Sequence, residues 1–103
     1  MAQITVTKDS FETVIKSMPK ILIDFWASWC GPCSILSAII DGFESENDSV
    51  CIGKYNVEED QEIPQKYGIQ SIPTVLLFEN GVLTSKSTGI MSHEELEKFY
   101  YGK

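Results

Sequence analysis

Two cysteines separated by two residues, Cys30 and Cys33, are the side chains of this sequence best suited to chemistry. Thiols at this spacing can close a small disulfide ring and reopen it by thiol exchange. They lie between a continuous apolar segment, 21–27, and a helical apolar pattern that extends to about Glu46. A Cys-x-x-Cys motif between a strand and a helix is typical of a redox dithiol. Its first cysteine is expected at the helix N-terminus, where free backbone N–H groups and the helix dipole stabilise a thiolate.

The elements that must position this dithiol follow from the apolar periodicity. Five strands are predicted, at 4–7, 21–27, 50–57, 74–78 and 82–88. Four helices are predicted, beginning near Asp9, after Cys30, at Glu58 and at Ser92. The order βαβαβαββα predicts an α/β fold, with a central mixed sheet of about five strands flanked by four helices.

Local signals mark where several of these elements begin and end. Asp9 and Ser92 each precede a glutamate by three residues, which is the spacing of a helix capping box. Gly68 is suited to the left-handed position that ends the third helix. Asn80-Gly81 favours a type I′ hairpin between the last two strands. The last helix is expected to bury Leu96, Phe99 and Tyr100.

Length and charge limit the class of protein. A chain of 103 residues is expected to form one domain over residues 1–103. Its net charge of −7 argues against nucleic acid or an anionic membrane as a partner. The sequence has no apolar run long enough to span a bilayer, and its first residues lack the pattern of a signal peptide. Three cysteines do not suggest a secreted disulfide framework, so a cytoplasmic location is expected.

Five segments in the same order and spacing closely resemble the thioredoxin family. The matching segments are 24–33, which contains Trp-Cys-Gly-Pro-Cys, then 54–57, 66–74, 78–81 and Gly89. The resemblance extends over essentially the whole chain and implies a thioredoxin fold. It also implies the reduction of protein disulfides through reversible oxidation of the dithiol, with no other cofactor.

The dithiol is expected to work by two exchange steps. Cys30 is interpreted as the nucleophile that forms a mixed disulfide with a partner, and Cys33 as the thiol that resolves it. Gly31 and Pro32 stiffen the ring and help to set how readily it opens. The alternative is half of a zinc site completed by Cys51 and His93, although Pro32 and the strand–turn–helix context favour exchange over a tetrahedral zinc site.

Asp24 is a carboxylate inside an otherwise apolar strand, where burial should raise its pKa. In thioredoxins the matching aspartate lies beneath the cysteine pair and deprotonates the second cysteine through water, so the resemblance implies that Asp24 acts as a proton relay to Cys33. The alternative is a structural ion pair with Lys54, which the resemblance places near Asp24 and which would also tune the redox site. The two interpretations are compatible.

The resemblance also implies a substrate-binding surface. Pro73 matches the family's cis-proline facing the dithiol, where the preceding backbone pairs with an extended client segment. An ordinary trans-proline at the start of a strand is the alternative. Trp29, Ile72 and Gly89 are expected to form an apolar rim around Cys30. Among the other candidates, Trp26 is expected in the core, Cys51 as a buried small apolar residue and His93 facing solvent.

Two residues depart from the family pattern. Ser34 replaces the usual Lys or Arg after the second cysteine, which should raise the pKa of Cys30 somewhat. Ala38 replaces a proline, which should straighten the helix. Neither change removes a group that the exchange reaction needs.

The sequence therefore predicts a monomeric dithiol–disulfide oxidoreductase whose partners are thioredoxin reductase and oxidised client proteins. Whether the reductase is an NADPH-dependent flavoprotein or an iron–sulfur enzyme stays open, as do the redox potential and the clients. A specialised redox protein with one partner is one alternative, and a non-catalytic adaptor is another. The presence of Cys30, Cys33 and Asp24 argues against the adaptor, because a scaffold needs none of them.

Overall fold

A computed structural model describes residues 3–102, so Met1, Ala2 and Lys103 of the expected domain lie outside the described residues. The five strands are β1 (Ile4–Val6), β2 (Lys20–Trp26), β3 (Ile52–Asn56), β4 (Thr74–Glu79) and β5 (Val82–Thr88). The four helices are α1 (Phe11–Ser17), α2 (Gly31–Glu46), α3 (Glu62–Lys66) and α4 (His93–Tyr101). The order βαβαβαββα predicted from the sequence is confirmed.

The strands form one mixed sheet in the spatial order β1-β3-β2-β4-β5. β3 pairs in parallel with both β1 and β2, whereas β4 pairs antiparallel with β2 and with β5. The parallel pairs follow from the helical crossovers, and the β4–β5 pair follows from the Asn80-Gly81 hairpin. Asn80 and Gly81 have φ angles of 53° and 82°, as a type I′ turn requires.

The helices cover both faces of the sheet because β2 is apolar on both faces. Ile21, Ile23 and Phe25 join a core cluster that contains side chains of α1 and α3. Leu22, on the opposite face, joins a second cluster that contains side chains of α2 and α4. Successive side chains of a strand point to opposite faces, so Asp24 lies on the same face as Leu22, towards α2.

The predicted end of α3 and start of α4 are confirmed. Gly68, directly after the α3 C-cap, has a φ angle of 66°. Ser92 and Glu95 form the capping box of α4. Leu96 and Tyr100 are buried, but Phe99 is only partly buried and packs against the second cluster.

Several predicted boundaries were wrong. β1, β2 and β4 differ by one residue from the predicted ranges, and the starts of three other elements also differ. The N-cap of α1 is Ser10 rather than Asp9, and no side chain caps that helix; the Ser10 hydroxyl instead accepts a hydrogen bond from the Thr7 N–H. α3 begins at Glu62 rather than at Glu58, because Glu58 lies in a turn where its N–H donates to the Asn56 side chain, and it is the Asp60 carboxylate that accepts a backbone N–H of the helix, from Ile63. β3 begins at Ile52, so Cys51 precedes the strand. Among residues 3–102, no helix is long and apolar enough to cross a membrane.

Candidate active site

The two cysteines lie at the start of α2, on the loop that leaves β2. Cys30 is the N-cap of α2, and its Sγ accepts a hydrogen bond of 3.2 Å from the backbone N–H of Cys33. The two residues are joined by a disulfide, with their Cα atoms 5.3 Å apart. A sulfur in this position faces the unpaired N–H groups and the positive end of the helix dipole, which favour a thiolate once the disulfide is reduced.

The segment before β4 lies against Cys30. The Ile72–Pro73 peptide bond is cis, and the Ile72 carbonyl oxygen is 3.9 Å from the Cys30 Sγ. The Pro73 carbonyl accepts a hydrogen bond of 2.8 Å from the Gly89 N–H. Gly89 has a φ angle of 98°, a conformation that side chains disfavour. The cis-proline segment, the end of β5 and the dithiol therefore lie together.

An apolar groove of about 390 Å³ borders the dithiol. It is lined by Trp29, Val57, Gln61, Pro64, Ile69, Gln70, Ser71 and Ile72. Trp29 is 72% exposed, and Ile90, which follows Gly89, is 47% exposed. Exposed apolar side chains beside free backbone groups can bind an extended polypeptide.

Asp24 is fully buried on β2, opposite Lys54 in the β2–β3 register. The Lys54 Nζ donates a hydrogen bond of 2.9 Å to the Asp24 Oδ2, whereas the Asp24 Oδ1 has no hydrogen-bond partner among residues 3–102. Burial raises the pKa of Asp24; the Lys54 ammonium opposes this rise, and the nearby Asp41 carboxylate adds to it. The structure therefore contains both features predicted for Asp24, the raised pKa and the ion pair with Lys54.

A cavity of about 510 Å³ connects the surroundings of Cys33 with those of Lys54. One side of the cavity is lined by residues at successive turns of α2, namely Cys33, Ser37 and Asp41. Another side is lined by Lys54 and Trp26 of the sheet. Ser37, Asp41 and Lys54 give this cavity polar atoms and the cavity opens to solvent, so water can enter it. Across residues 3–102, no cluster of three His, Cys, Asp or Glu side chains is arranged to hold a metal ion.

Comparison with known proteins agrees with this geometry. The thioredoxin family model matches residues 2–101. A thioredoxin of Rickettsia bellii is 48% identical over 92 residues, covering 87% of this chain and 86% of that protein. Thioredoxins of Acidithiobacillus ferridurans and Pseudomonas aeruginosa are 42% and 36% identical, covering 91% and 93% of this chain and 89% and 91% of their own lengths.

The chain belongs to the thioredoxin family. It is a dithiol–disulfide oxidoreductase that acts as a protein-disulfide reductase, and its redox-active group is the Cys30–Cys33 pair. The mixed sheet of five strands with four flanking helices is the thioredoxin fold.

The structure brings the residues implied by the thioredoxin resemblance to one end of the sheet. Gly31 and Pro32 form the first turn of α2 between the cysteines, and Trp29 precedes them. Ile72, Pro73 and Gly89 lie on the facing segments. The ion pair of Asp24 and Lys54 lies within the sheet, below the dithiol and these segments. The helix that follows the dithiol is uninterrupted through Ala38, where most thioredoxins have a proline.

Three expectations about other side chains need correction. Cys51 is only partly buried, although it does pack against the core, and burial with the nearby Glu44 raises its pKa. His93 is half-buried, because its ring packs on Phe43 and its Nε2 lies 3.4 Å from a Glu46 oxygen. Trp26 is partly buried; it packs against the core as expected but also lines the cavity beside Cys33.

Two contacts of the thioredoxin site were missed from the sequence. The Glu58 carboxylate accepts hydrogen bonds from the Ser28 N–H at 2.8 Å and the Ser28 hydroxyl at 3.1 Å, which lower the pKa of Glu58 and fix the loop before Trp29. The Ser37 Oγ accepts a hydrogen bond of 2.9 Å from the Lys54 Nζ. The four-residue spacing between Cys33 and Ser37 was the available signal for the second contact.

Proposed function

We propose that this protein reduces disulfides of client proteins, with Cys30 as the attacking thiolate, Cys33 as the resolving thiol and Asp24 as the base that deprotonates Cys33. The observation that carries the proposal is the place of the Cys30 Sγ at the N-terminus of α2, where it accepts the Cys33 N–H. A thiolate there is stabilised by the same hydrogen bond and by the helix dipole.

The reaction begins from the reduced dithiol. The Cys30 thiolate attacks one sulfur of a client disulfide, so a Cys30–client disulfide forms and the other client sulfur leaves as a thiolate. Cys33 then loses its proton to Asp24, and the Cys33 thiolate attacks the Cys30 Sγ. The Cys30–Cys33 disulfide forms and the second client sulfur leaves as a thiolate. Two electrons have passed to the client, whose thiolates take up protons.

The resolving step needs a base because Cys33 is buried, 3% exposed, inside the first turn of α2. A carboxylate whose pKa is raised by burial accepts a proton more readily than an exposed one at neutral pH. The Asp24 Oδ1 is free to take that proton, since Lys54 occupies only the Oδ2. Lys54 tunes the site by limiting the rise in the pKa of Asp24.

Client proteins are proposed to bind across the apolar rim. Trp29 and Ile72 supply exposed apolar surface in one groove, while Pro73 and Gly89 shape the backbone that faces Cys30. A surface of this kind contacts the backbone and apolar side chains of many sequences, so broad client recognition is expected. Gly31 and Pro32 hold the dithiol ring and tune its opening.

The wider setting is also proposed. Thioredoxin reductase returns the Cys30–Cys33 disulfide to the dithiol, and the protein carries electrons from it to clients in the cytoplasm. The chain acts as a single-domain monomer, with no metal and no cofactor beyond its own disulfide, and it binds neither nucleic acid nor membrane.

The test is the reduction of insulin by dithiothreitol, followed by turbidity. The wild-type protein and Cys51→Ala are expected to accelerate precipitation, whereas Cys30→Ser is expected to give the uncatalysed rate. Cys33→Ser should trap clients as mixed disulfides through Cys30. Full activity in Cys30→Ser, or trapping through Cys51, would refute the proposed roles.

A further inference from the structure

Ser37 connects α2 to the buried ion pair. Its Oγ lies 2.9 Å from the Lys54 Nζ, the same distance that separates the Lys54 Nζ from the Asp24 Oδ2. Ser37 is four residues after Cys33 on α2, so both face the same cavity. One ammonium therefore bridges a hydroxyl on the helix of the dithiol and the carboxylate on the sheet.

Without the Ser37 hydroxyl, the Lys54 ammonium could bond to Asp24 or turn towards another carboxylate. Lys54 has a long flexible side chain that is 18% exposed, and the cavity it lines also contains the carboxylate of Asp41. Asp41 already accepts a hydrogen bond of 2.7 Å from the Gln3 amide, but its negative charge still attracts a mobile ammonium. The Ser37 hydroxyl gives Lys54 a second fixed contact in the same arrangement in which its ammonium bonds to Asp24.

We propose that Ser37 is a positioning residue for the thiol exchange, because its hydroxyl holds the Lys54 ammonium against the Asp24 Oδ2 and leaves the Oδ1 as the oxygen that takes the proton of Cys33. The inference rests on the proposed role of Asp24 as a base. In the resolving step the proton of the Cys33 thiol passes to the Asp24 Oδ1, and Lys54 takes no part in this transfer.

The direction of the effect follows from the groups around Asp24. Lys54 faces it from β3 and Asp41 acts on it from α2, while its partner on β4, Val75, is apolar. Loss of the Ser37 hydroxyl frees Lys54 to turn towards Asp41 or solvent. The Asp24 carboxylate then loses part of its stabilising charge, and its pKa rises further above the ordinary value.

The experiment compares the pH profile of the resolving step in the wild type, Ser37→Ala and Asp24→Asn, by single-turnover oxidation with a small disulfide. The carboxyl carbon of Asp24, followed by NMR, gives its titration directly. Ser37→Ala is expected to raise the proton affinity of Asp24 about three- to tenfold, or about 0.7–1.4 kcal/mol. Ser45→Ala is the control, since that exposed hydroxyl on α2 bonds only to the Gly42 carbonyl.

A double-mutant cycle with Lys54→Met tests whether Ser37 acts on the titration of Asp24 through Lys54. If Ser37 acts through Lys54, then Ser37→Ala leaves the titration of Asp24 unchanged in the Lys54→Met background. A shift that persists there would overturn the inference, as would an unchanged or lowered proton affinity in Ser37→Ala alone. A separate result tests the proposed role of Asp24 as the base. If Asp24 is not the base, Asp24→Asn will leave the pH profile of the resolving step as in the wild type.

Discussion

Replacing Asp24 with asparagine tests the central feature of the site, a buried carboxylate with one unpartnered oxygen. Asparagine has nearly the same shape but carries no charge. Within the part of the chain that the structure describes, the Lys54 ammonium is the one partner of the wild-type carboxylate, and the Oδ1 has none. We expect Asp24→Asn to be more stable than the wild type at pH 8 and to exchange disulfides more slowly, because the buried charge is gone and so is the base.

The sign of the pH dependence follows from the raised pKa of Asp24. Below the ordinary carboxyl pKa of about 3.9, Asp24 is protonated in the folded and unfolded states and costs nothing. As the pH rises, the unfolded chain ionises first, so wild-type stability falls until the folded carboxyl ionises too. Above the folded pKa of Asp24, the loss of wild-type stability is complete and no longer changes with pH. Asp24→Asn does not undergo this loss.

The structure sets the size of the difference. The neutral amide avoids the free-energy cost of a buried charge, which is about 1.4 kcal/mol for each unit by which burial raises the folded pKa above the unfolded one. Part of this gain is cancelled because Lys54 loses its ion pair, but Lys54 is 18% exposed and keeps the Ser37 contact, so its charge can reach water. The variant is therefore expected to gain on the order of 1–2 kcal/mol at pH 8.

Urea unfolding between pH 4 and pH 9 measures this gain, with Asp48→Asn as the control for loss of an exposed charge. The free-energy difference between Asp24→Asn and the wild type should grow with pH and then level off. A difference that does not change with pH would mean that the ion pair with Lys54 cancels the effect of burial. A variant that becomes less stable than the wild type as the pH rises would mean that the ion pair outweighs burial. Insulin turnover on the same samples shows whether the base has been lost.

Three further outcomes are expected. In the reduced protein at neutral pH, iodoacetamide should modify Cys30 before Cys51, by peptide mapping, because the helix N-terminus favours the Cys30 thiolate while burial raises the pKa of Cys51. First modification at Cys51 would contradict this. Ser34→Lys should lower the pKa of Cys30 modestly, and by more at low salt, as measured by thiolate absorbance at 240 nm. No change at low salt would show that the helix terminus alone sets the pKa of Cys30. Gly53→Ala should destabilise the fold by about 1–3 kcal/mol, measured by urea unfolding, because the added Cβ would lie 2.8 Å from the Ile23 Cδ1. Gly42→Ala is the control and should not destabilise the fold, because its Cβ would have nothing within 4 Å.

The sequence predicted most of the fold because its local signals agree with one another. The Asn80-Gly81 turn, the Ser92 capping box and the two-sided apolar run of β2 each depend on a few neighbouring residues. Boundaries failed where a side chain had two possible partners. Asp9 has the capping spacing, yet Ser10 takes that position. In the acidic run from Glu58, it is Asp60 that accepts a backbone N–H of α3, from Ile63, so the helix begins later than predicted.

The sequence by itself determined the chemistry, since Cys-Gly-Pro-Cys between a strand and a helix predicts where a thiolate is stable. Tertiary structure decided the surroundings of that thiolate. Strand register placed Lys54 beside Asp24, and the packing of α2 on the sheet brought Ser37 to Lys54, 17 residues away in the chain. Hydrogen bonds between distant residues depend on register and packing within fractions of an ångström, and no local pattern encodes them.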